Sequence, residues 1–357
     1  MLGHWMRVIS QDISEQRTLL NSNQFGSQIE TYFDEFPALT DTKIAIIGSG
    51  PFADLVRSEL YQMSWSFRHL KVADVGNFAN SEPEAVRPVL DDLHGADIIP
   101  IIIGGTAKSI VQQVISHKSL DRSHPLFVDE RIAYGKVLQR SYLNSIIEAE
   151  LSNLRSITVM GYQRHNSDPS MMLKQCDVNI NTLRLGQIRS NAAAMEPYIR
   201  DCTSLSFSLN SMKKAEAPIK SGNNPSGLKS EEACQICRYA GINEQMRSFM
   251  IYDVDHDVNN CEQSATLMAQ MIWYFIDGVN SRMKEFPATS QHMIEYIVTT
   301  TLVEAPLKFF KSQISGRWWM ADPSNPESME NLLPCTYDEY LSACRDEIPS
   351  RLIKLLG

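Results

Sequence analysis

The sequence predicts an α/β fold, a three-layer αβα sandwich around a parallel sheet of about eight strands. Short apolar runs recur along the chain, and amphipathic segments separate most of them, which is the pattern of strands alternating with helices. Such apolar strands are typical of a parallel sheet that helices cover on both faces. With 357 residues, 43% of them hydrophobic, the chain is long enough to bury this core.

The strands and helices are predicted from these runs in chain order. The predicted strands lie at 43–48, 69–74, 98–103, 125–128, 157–161, 204–208 and 250–254. Helical spacing is clearest at 138–153, 230–240 and 262–283. Between them, residues 212–229 are rich in Lys, Pro, Gly and Asn and are predicted to form a long loop.

Three regions are predicted along the chain. Residues 1–40 are polar and mixed, and we interpret them as an N-terminal arm packed on the main body. Residues 41–283 carry the strand and helix alternation and form the α/β domain. Residues 284–357 contain several prolines and an aromatic cluster, and we expect a C-terminal extension that packs on the domain.

Composition and charge favour a cytoplasmic protein with no nucleic-acid or membrane partner. The net charge of -9 argues against a general nucleic-acid binder or a basic face for anionic lipids. We find no run of 18 apolar residues and no pattern of a secretory signal peptide at the N-terminus. The seven cysteines show no framework spacing, which fits a reducing compartment.

Polar residues cluster where four predicted strands end. In parallel sheets, ligands bind at the carboxyl ends of the strands, so these segments are the candidate site. They span 101–109, 126–133, 206–210 and 252–257.

In order and surroundings, these segments resemble the ureohydrolase superfamily of arginase, agmatinase and formimidoylglutamase over roughly residues 43–280. Gly104-Gly105 is similar to the Gly-Gly-Asp-His motif, Val128-Asp129 to the start of Asp-x-His-x-Asp, and Ser206-Phe207 to the start of Ser-Phe-Asp-x-Asp. Other passages look closest to a divergent formimidoylglutamase-like branch. The resemblance implies an arginase-like fold and a homo-oligomer, a trimer or a hexamer.

The resemblance also implies a site for two Mn²⁺ ions, whose bridging hydroxide attacks an amidine or guanidinium carbon. Most positions expected to hold the metals carry residues that are not ligands, and Asp129 is the only ligand position retained. The pocket positions are occupied here by Thr106, Ala107, Lys108, Asp129, Arg131, Ala133, Ser208, Asn210 and Asp253.

The first hypothesis for function is therefore a pseudoenzyme of this superfamily, with a role in binding a partner or small ligand or in assembly. It expects no metal and no other cofactor. Arg131 and Lys108 would repel divalent ions, and we expect them to neutralise Asp129 and Asp253 through ion pairs.

The second hypothesis is an active C–N hydrolase with a rebuilt site. Asp129, Asp253, Asp255 and His256 would hold Mn²⁺, with Arg131 beside them, and linear amidines would be the substrates.

The third hypothesis is nucleotide binding at Gly48–Ala53. This segment matches the pattern G-x-G-x-x-A between a predicted strand and a helix, and Asp74 ends the next strand, where an acid would bind the ribose. The turn also fits a Gly-x-Pro-Phe sequence of the ureohydrolases.

Overall fold

The computed structural model describes residues 2–80, 82–134, 142–167, 178–220, 222–254, 261–285, 290–301, 305–322, 325–326, 328–329 and 332–347. The first ten strands are β1 (Met6–Arg7), β2 (Glu30–Thr31), β3 (Ile44–Gly48), β4 (Val72–Phe78), β5 (Ile99–Gly105), β6 (Pro125–Val128), β7 (Ser156–Met160), β8 (Asn179–Leu183), β9 (Ser204–Ser208) and β10 (Ser248–Tyr252). The last four are β11 (Met293–Val298), β12 (Leu307–Ser312), β13 (Trp318–Met320) and β14 (Leu333–Cys335).

The described α-helices cover the following ranges: α1 (Gln11–Thr18), α2 (Phe25–Gln28), α3 (Phe52–Gln62), α4 (Pro83–Gly95), α5 (Ala107–Ile115), α6 (Tyr142–Glu148), α7 (Leu185–Ser190), α8 (Glu196–Ile199), α9 (Ser230–Ile242), α10 (Glu262–Asn280) and α11 (Tyr337–Cys344). Short 3-10 helices lie at Leu2–Trp5, Ser116–Ser119, Ala192–Met195, Leu209–Ser211 and Ser290–His292.

The central sheet has ten strands, and its long path runs β1-β4-β3-β5-β10-β9-β6-β7-β8. From β4 to β8 the eight neighbouring strands are all parallel, which confirms the predicted sheet. Strand β1 pairs antiparallel with β4, and β2 pairs parallel with it.

Successive residues of the central strands point to opposite faces of the sheet and enter two separate cores. On β5, Ile101 and Ile103 join one core, and Ile102 joins the other. All three side chains are fully buried. Both faces are therefore dry, and this explains why the strand is an uninterrupted apolar run.

Helices cover both faces, which confirms the three-layer arrangement. The first core packs the sheet against α3, α9 and α10, and the second packs it against α4, α5 and α6. Helix α10 illustrates the sequence logic, because its apolar residues Met268, Ile272 and Phe275 recur at helical spacing and are fully buried.

The C-terminal strands β11 to β14 form a separate antiparallel sheet. It contacts the main body through Arg200, whose Nη1 donates to the carbonyl oxygen of Trp318 at 2.7 Å and whose guanidinium lies 4.6 Å from the ring centre of Trp319. At the other terminus, β1 and β2 extend the edge of the central sheet. The division at residues 40 and 283 stays a prediction.

Strand β8 was missed in the sequence, because its residues Asn179–Leu183 mix polar and apolar side chains at the edge of the sheet. The helix predicted at 138–153 is α6, which is shorter, and residues 135–141 lie outside the described chain. The helix predicted at 262–283 is α10, within three residues at its end.

A buried ion pair ties α3 to β4. Arg57 and Asp74 are both fully buried, and the guanidinium donates from Nε and Nη2 to the two carboxylate oxygens at 2.9 and 3.0 Å. Tyr61 donates its hydroxyl to Asp74 at 3.0 Å, and Asn77 accepts from Arg57 at 2.7 Å. Two-point pairing of this kind offsets the desolvation of both charges.

We predict that Asp74→Asn lowers the free energy of unfolding by about 3–5 kcal/mol, because it leaves the Arg57 charge buried without its main partner. Chemical denaturation measures this. The matched control is Glu30→Gln, which breaks a half-exposed ion pair with Lys71 at 2.9 Å and should cost less than about 1 kcal/mol. Equal losses in the two variants would contradict the account.

Candidate functional site

The ends of four neighbouring strands bring the predicted site residues together. Strands β5, β10, β9 and β6 are consecutive in the sheet, so their carboxyl ends meet at one edge. Gly104 has a φ of 89°, and a Cβ there would lie 2.7 Å from the carbonyl oxygen of Ser49. Glycine is therefore needed at position 104, where the end of β5 passes the residue that follows β3.

These strand ends surround a small cavity. Its volume is about 20 Å³, room for about one water molecule. Six predicted site residues line it together with two tyrosines, and the full set is Ala107, Asp129, Arg131, Ala133, Tyr142, Asn210, Tyr252 and Asp253.

Asp129 is the centre of the cavity, and two tyrosines hold it. It follows β6, is 5% exposed, and its backbone N–H donates to the carbonyl of Met160 at 3.0 Å. The hydroxyls of Tyr142 and Tyr252 both donate to Asp129 Oδ2, each at 3.0 Å. The two hydroxyl oxygens are 3.4 Å apart. This carboxylate oxygen is thus engaged by two protein donors.

Burial and charge favour the protonated form of Asp129. Removal from water raises its pKa, the nearby charge of Asp253 raises it further, and the result is a pKa of about 7. The tyrosine hydrogen bonds act in the opposite direction. Burial also raises the pKa of Tyr142 and of Tyr252 well above the usual range, so both remain hydrogen-bond donors.

Asp253 occupies the end of β10 in a left-handed backbone conformation, with a φ of 63°. Non-glycine residues adopt this region seldom, and Asp is among those that tolerate it. Ser208, at the end of β9, donates its hydroxyl to Asp253 Oδ2 at 2.6 Å. Ser208 therefore lies behind the cavity and supports one of its acids.

The prediction of an ion pair between Arg131 and Asp129 is wrong. Arg131 Nη2 donates to Glu130 Oε1 at 2.7 Å, and only the backbone N–H of Arg131 approaches Asp129, at 3.4 Å. The hydrogen bond to Glu130 is the main cause of a raised pKa for Arg131. Glu130 is buried and also accepts from Asn224 at 3.1 Å, so it presents a fixed acceptor to the guanidinium.

Lys108 does not neutralise the site either. Its side chain is 75% exposed, and its Nζ lies 3.9 Å from Glu82. It occupies the first turn of α5, where it points to solvent. The neighbouring Thr106 is the N-cap of α5 and accepts from the N–H of Ser109 at 3.3 Å, which makes it a structural residue of the helix.

A different cation is buried next to the cavity. Lys220 is fully buried, and its Nζ donates to the carbonyl oxygens of Asn210 and Met212. Burial lowers the pKa of Lys220. The Asn210 side chain accepts from the N–H of Gly222 at 2.7 Å. Lys220 and Asn210 thus fasten the long loop after β9 over the strand ends.

The described residues do not fit a binuclear manganese centre. Hard divalent ions need several oxygen or nitrogen ligands that converge on one point. Within the described ranges, no three His, Cys, Asp or Glu side chains converge in this way. The retained Asp129 accepts from two tyrosines instead, and Arg131 lines the same cavity. Asp255 and His256, proposed for a rebuilt site, lie outside the described residues.

The nucleotide hypothesis meets a specific obstacle. The acid expected to bind a ribose is Asp74, and its carboxylate is fully buried and already held by Arg57 and Tyr61. A bound nucleotide would have to displace this ion pair. The segment Gly48–Ala53 therefore connects β3 to α3 and shows no accessible acid for a ribose in the described structure.

The sequence did not identify Tyr142, Tyr252, Glu130 or Lys220 as site residues. Tyr252 is the last residue of β10 and directly precedes Asp253, and this position at a strand end was a signal in the sequence that could have identified it. Tyr142 gave no such signal, because it lies at the start of α6 and reaches Asp129 only through the fold.

We predict that Asp129→Asn raises stability, and more so at higher pH. The folded state keeps the Asp129 proton up to about pH 7, whereas the ordinary pKa of an aspartate, which applies to the unfolded chain, is 3.8. Between these values the folded state binds more protons, so wild-type stability falls as pH rises. The asparagine of the variant cannot ionise. The free energy of unfolding of the variant should therefore exceed that of the wild type by a few kcal/mol above pH 7, at about 1.4 kcal/mol per pKa unit.

Urea denaturation at about pH 4 and about pH 8 tests this difference. Asp91→Asn is the control, because Asp91 is exposed and its pairing with Arg87 is a 3.5 Å surface contact. An Asp129→Asn variant that is no more stable than wild type at the higher pH would refute the protonated carboxyl.

No known protein-family model and no curated protein sequence matches the chain. None of the helices in the described part of the chain combines the length and apolarity that crossing a membrane requires. Solved structures do match. The formiminoglutamase of Trypanosoma cruzi with Mn²⁺ superposes with a TM-score of 0.63 at 16% identity, over 72% of this chain and 99% of that one.

Two further structures agree with this match. The formimidoylglutamase of Bacillus subtilis gives a TM-score of 0.58 at 13% identity and covers 78% of this chain and 95% of its own. The agmatine ureohydrolase of Thermoplasma volcanium gives a TM-score of 0.55 at 15% identity and covers 74% of this chain and 97% of its own. The prediction from the sequence resemblance is confirmed at the level of the fold: this chain has the arginase-like fold of the formimidoylglutamases and agmatine ureohydrolases.

Proposed function

We propose that this chain is a pseudoenzyme of the arginase superfamily, which keeps the scaffold for binding a partner or small ligand or for assembly. The observation that carries the proposal is the pair of tyrosine hydroxyls on Asp129, each at 3.0 Å. A carboxylate oxygen that accepts from two buried phenols has lost the lone pairs it would offer to a metal ion. The one retained ligand position thus serves packing of the site.

Space and charge support the same proposal. A cavity of about 20 Å³ is far below the several hundred cubic ångströms of small-molecule sites. Asp129, which would have to ionise to bind a metal, has a pKa raised to about 7 by burial and by Asp253. Tyr142 and Tyr252 close the site with hydrogen bonds that are satisfied without any ion.

The alternative is a C–N hydrolase with a rebuilt site. One observation favours it: Asp129 and Asp253 line the same cavity, and the charge of Asp253 helps to raise the pKa of Asp129, a kind of perturbation that is frequent at catalytic sites. His256 would supply the imidazole and Arg131 would face the substrate. When bound, Mn²⁺ would supply an activated water for attack on a linear amidine.

The test is the metal content of the purified protein. The protein is incubated with Mn²⁺, desalted and analysed by mass spectrometry, with Asp129→Ala treated in parallel. The proposal expects no retained manganese in either protein. A second expectation is no hydrolysis of formimidoylglutamate, agmatine or arginine in the presence of Mn²⁺.

Near-stoichiometric manganese that is lost in Asp129→Ala would contradict the proposal and favour the rebuilt hydrolase. Manganese bound equally by both proteins would point to ligands other than Asp129. Ser208→Ala is a useful companion, because it removes the 2.6 Å hydrogen bond to Asp253 without touching Asp129.

We also propose a cytoplasmic homo-oligomer, a trimer or a hexamer, without a nucleic-acid or membrane partner. The support is the sequence resemblance and the negative net charge of -9. Light scattering coupled to gel filtration measures the mass directly, and a monomer across the concentration range would contradict this part of the proposal.

A further inference from the structure

A second and much larger cavity lies at the opposite end of the central sheet. Its volume is about 680 Å³, within the usual range for small-molecule sites. Residues just before β6, β7, β9 and β10 line it, and so do residues of the C-terminal segment next to β14. It therefore lies between the main body and the small antiparallel sheet, and no residue of the Asp129 cavity belongs to it.

One wall of this cavity is basic. Arg122 and Arg155 are exposed and flank His124, which is half-buried and pairs its Nδ1 with the hydroxyl of Ser156 at 2.8 Å. Burial lowers the pKa of His124 to about 4, and the charges of the two arginines contribute. The imidazole is consequently neutral, and the positive field at this wall comes from the guanidinium groups.

Four carboxylates also line the cavity, those of Asp121, Asp201, Glu244 and Asp322, and the protein engages some of them. Glu244 accepts from the N–H of Glu285 at 2.9 Å, and Asp201 accepts from Gln245 at 3.3 Å. Arg247 pairs with Asp97 outside the cavity. By contrast, Arg155 makes no ion pair or side-chain hydrogen bond within the described ranges, so its five N–H donors face solvent.

The cavity also has an apolar part. Leu120, Leu332 and Leu333 line it; Leu332 precedes β14, and Leu333 is the first residue of that strand. A ligand that fills the cavity would meet guanidinium groups on one side and leucine side chains on another. An arginine fork matches the geometry of a carboxylate or a phosphate.

We propose that this cavity binds a small organic anion, with its carboxylate or phosphate on Arg122 and Arg155 and an apolar portion against Leu332 and Leu333. The proposal does not depend on whether the Asp129 site holds a metal. It would give the scaffold a ligand site at the end of the sheet opposite to the strand ends that carry the sequence motifs.

Isothermal titration of the full chain tests the proposal with four probes of similar size. Phenyl phosphate and benzoate carry the two anionic groups, benzyl alcohol is neutral, and benzylamine is cationic. We expect one or both anions to bind and the other two probes not to bind. Whichever anion binds more tightly decides between phosphate and carboxylate.

Variants then assign the site. The double variant Arg122→Ala and Arg155→Ala should weaken anion binding about tenfold or more, which corresponds to one charge-assisted hydrogen bond. Arg155→Lys keeps the charge but loses the two-point geometry of the guanidinium, so its affinity for the anion should lie between those of the wild type and the double variant. Arg68→Ala is the matched control, an exposed arginine outside the cavity lining that should leave binding unchanged.

Three results would overturn the proposal: no binding of either anion to the wild type, equal binding to the double variant, or equal binding of the neutral probe. Since all substituted side chains are exposed, an unchanged melting temperature without probe shows that a loss of binding is not a loss of folding.

Discussion

Burial of the eight parallel strands on both faces is the constraint on which the rest of the structure depends. Apolar side chains such as Ile101, Ile102 and Ile103 fill both faces of the sheet, so accessible polar groups concentrate at the strand ends. Neighbouring strands β5, β10, β9 and β6 then bring residues distant in sequence around one small cavity. The same alternation creates the amino-terminal edge, where the larger cavity meets the C-terminal sheet.

The chemistry at the strand ends is that of a closed polar cluster. Two tyrosine hydroxyls donate to Oδ2 of Asp129, Ser208 donates to one oxygen of Asp253, and Glu130 accepts from Arg131. The hydroxyl donors take the role that a cation or water would have for a buried acid, and Glu130 has Arg131 as its cation. Lys220 places the one fully buried ammonium of the described structure beside this cluster, where it fastens the loop that follows β9.

The sequence predicted the fold well because burial on both faces produces a pattern that is visible residue by residue. It missed β8, whose polar residues lie at a sheet edge. It also identified which residues end the strands, but not their partners. Arg131 lies two residues from Asp129 and was expected to pair with it, whereas Tyr252 is 123 residues away and does contact it. The direction of a side chain depends on how the whole chain packs, so it cannot be inferred from the neighbouring residues in the sequence.

Difference infrared spectroscopy of wild type against Asp129→Asn tests the central claim most directly. The protonated carboxyl stretch of Asp129 is followed through a pH titration, with and without excess Mn²⁺. The account predicts a protonated band that disappears at about pH 7 in both series. A carboxylate already ionised at about pH 5 would contradict the protonated carboxyl, and a titration that moves to lower pH when Mn²⁺ is added would show that Asp129 serves as a metal ligand.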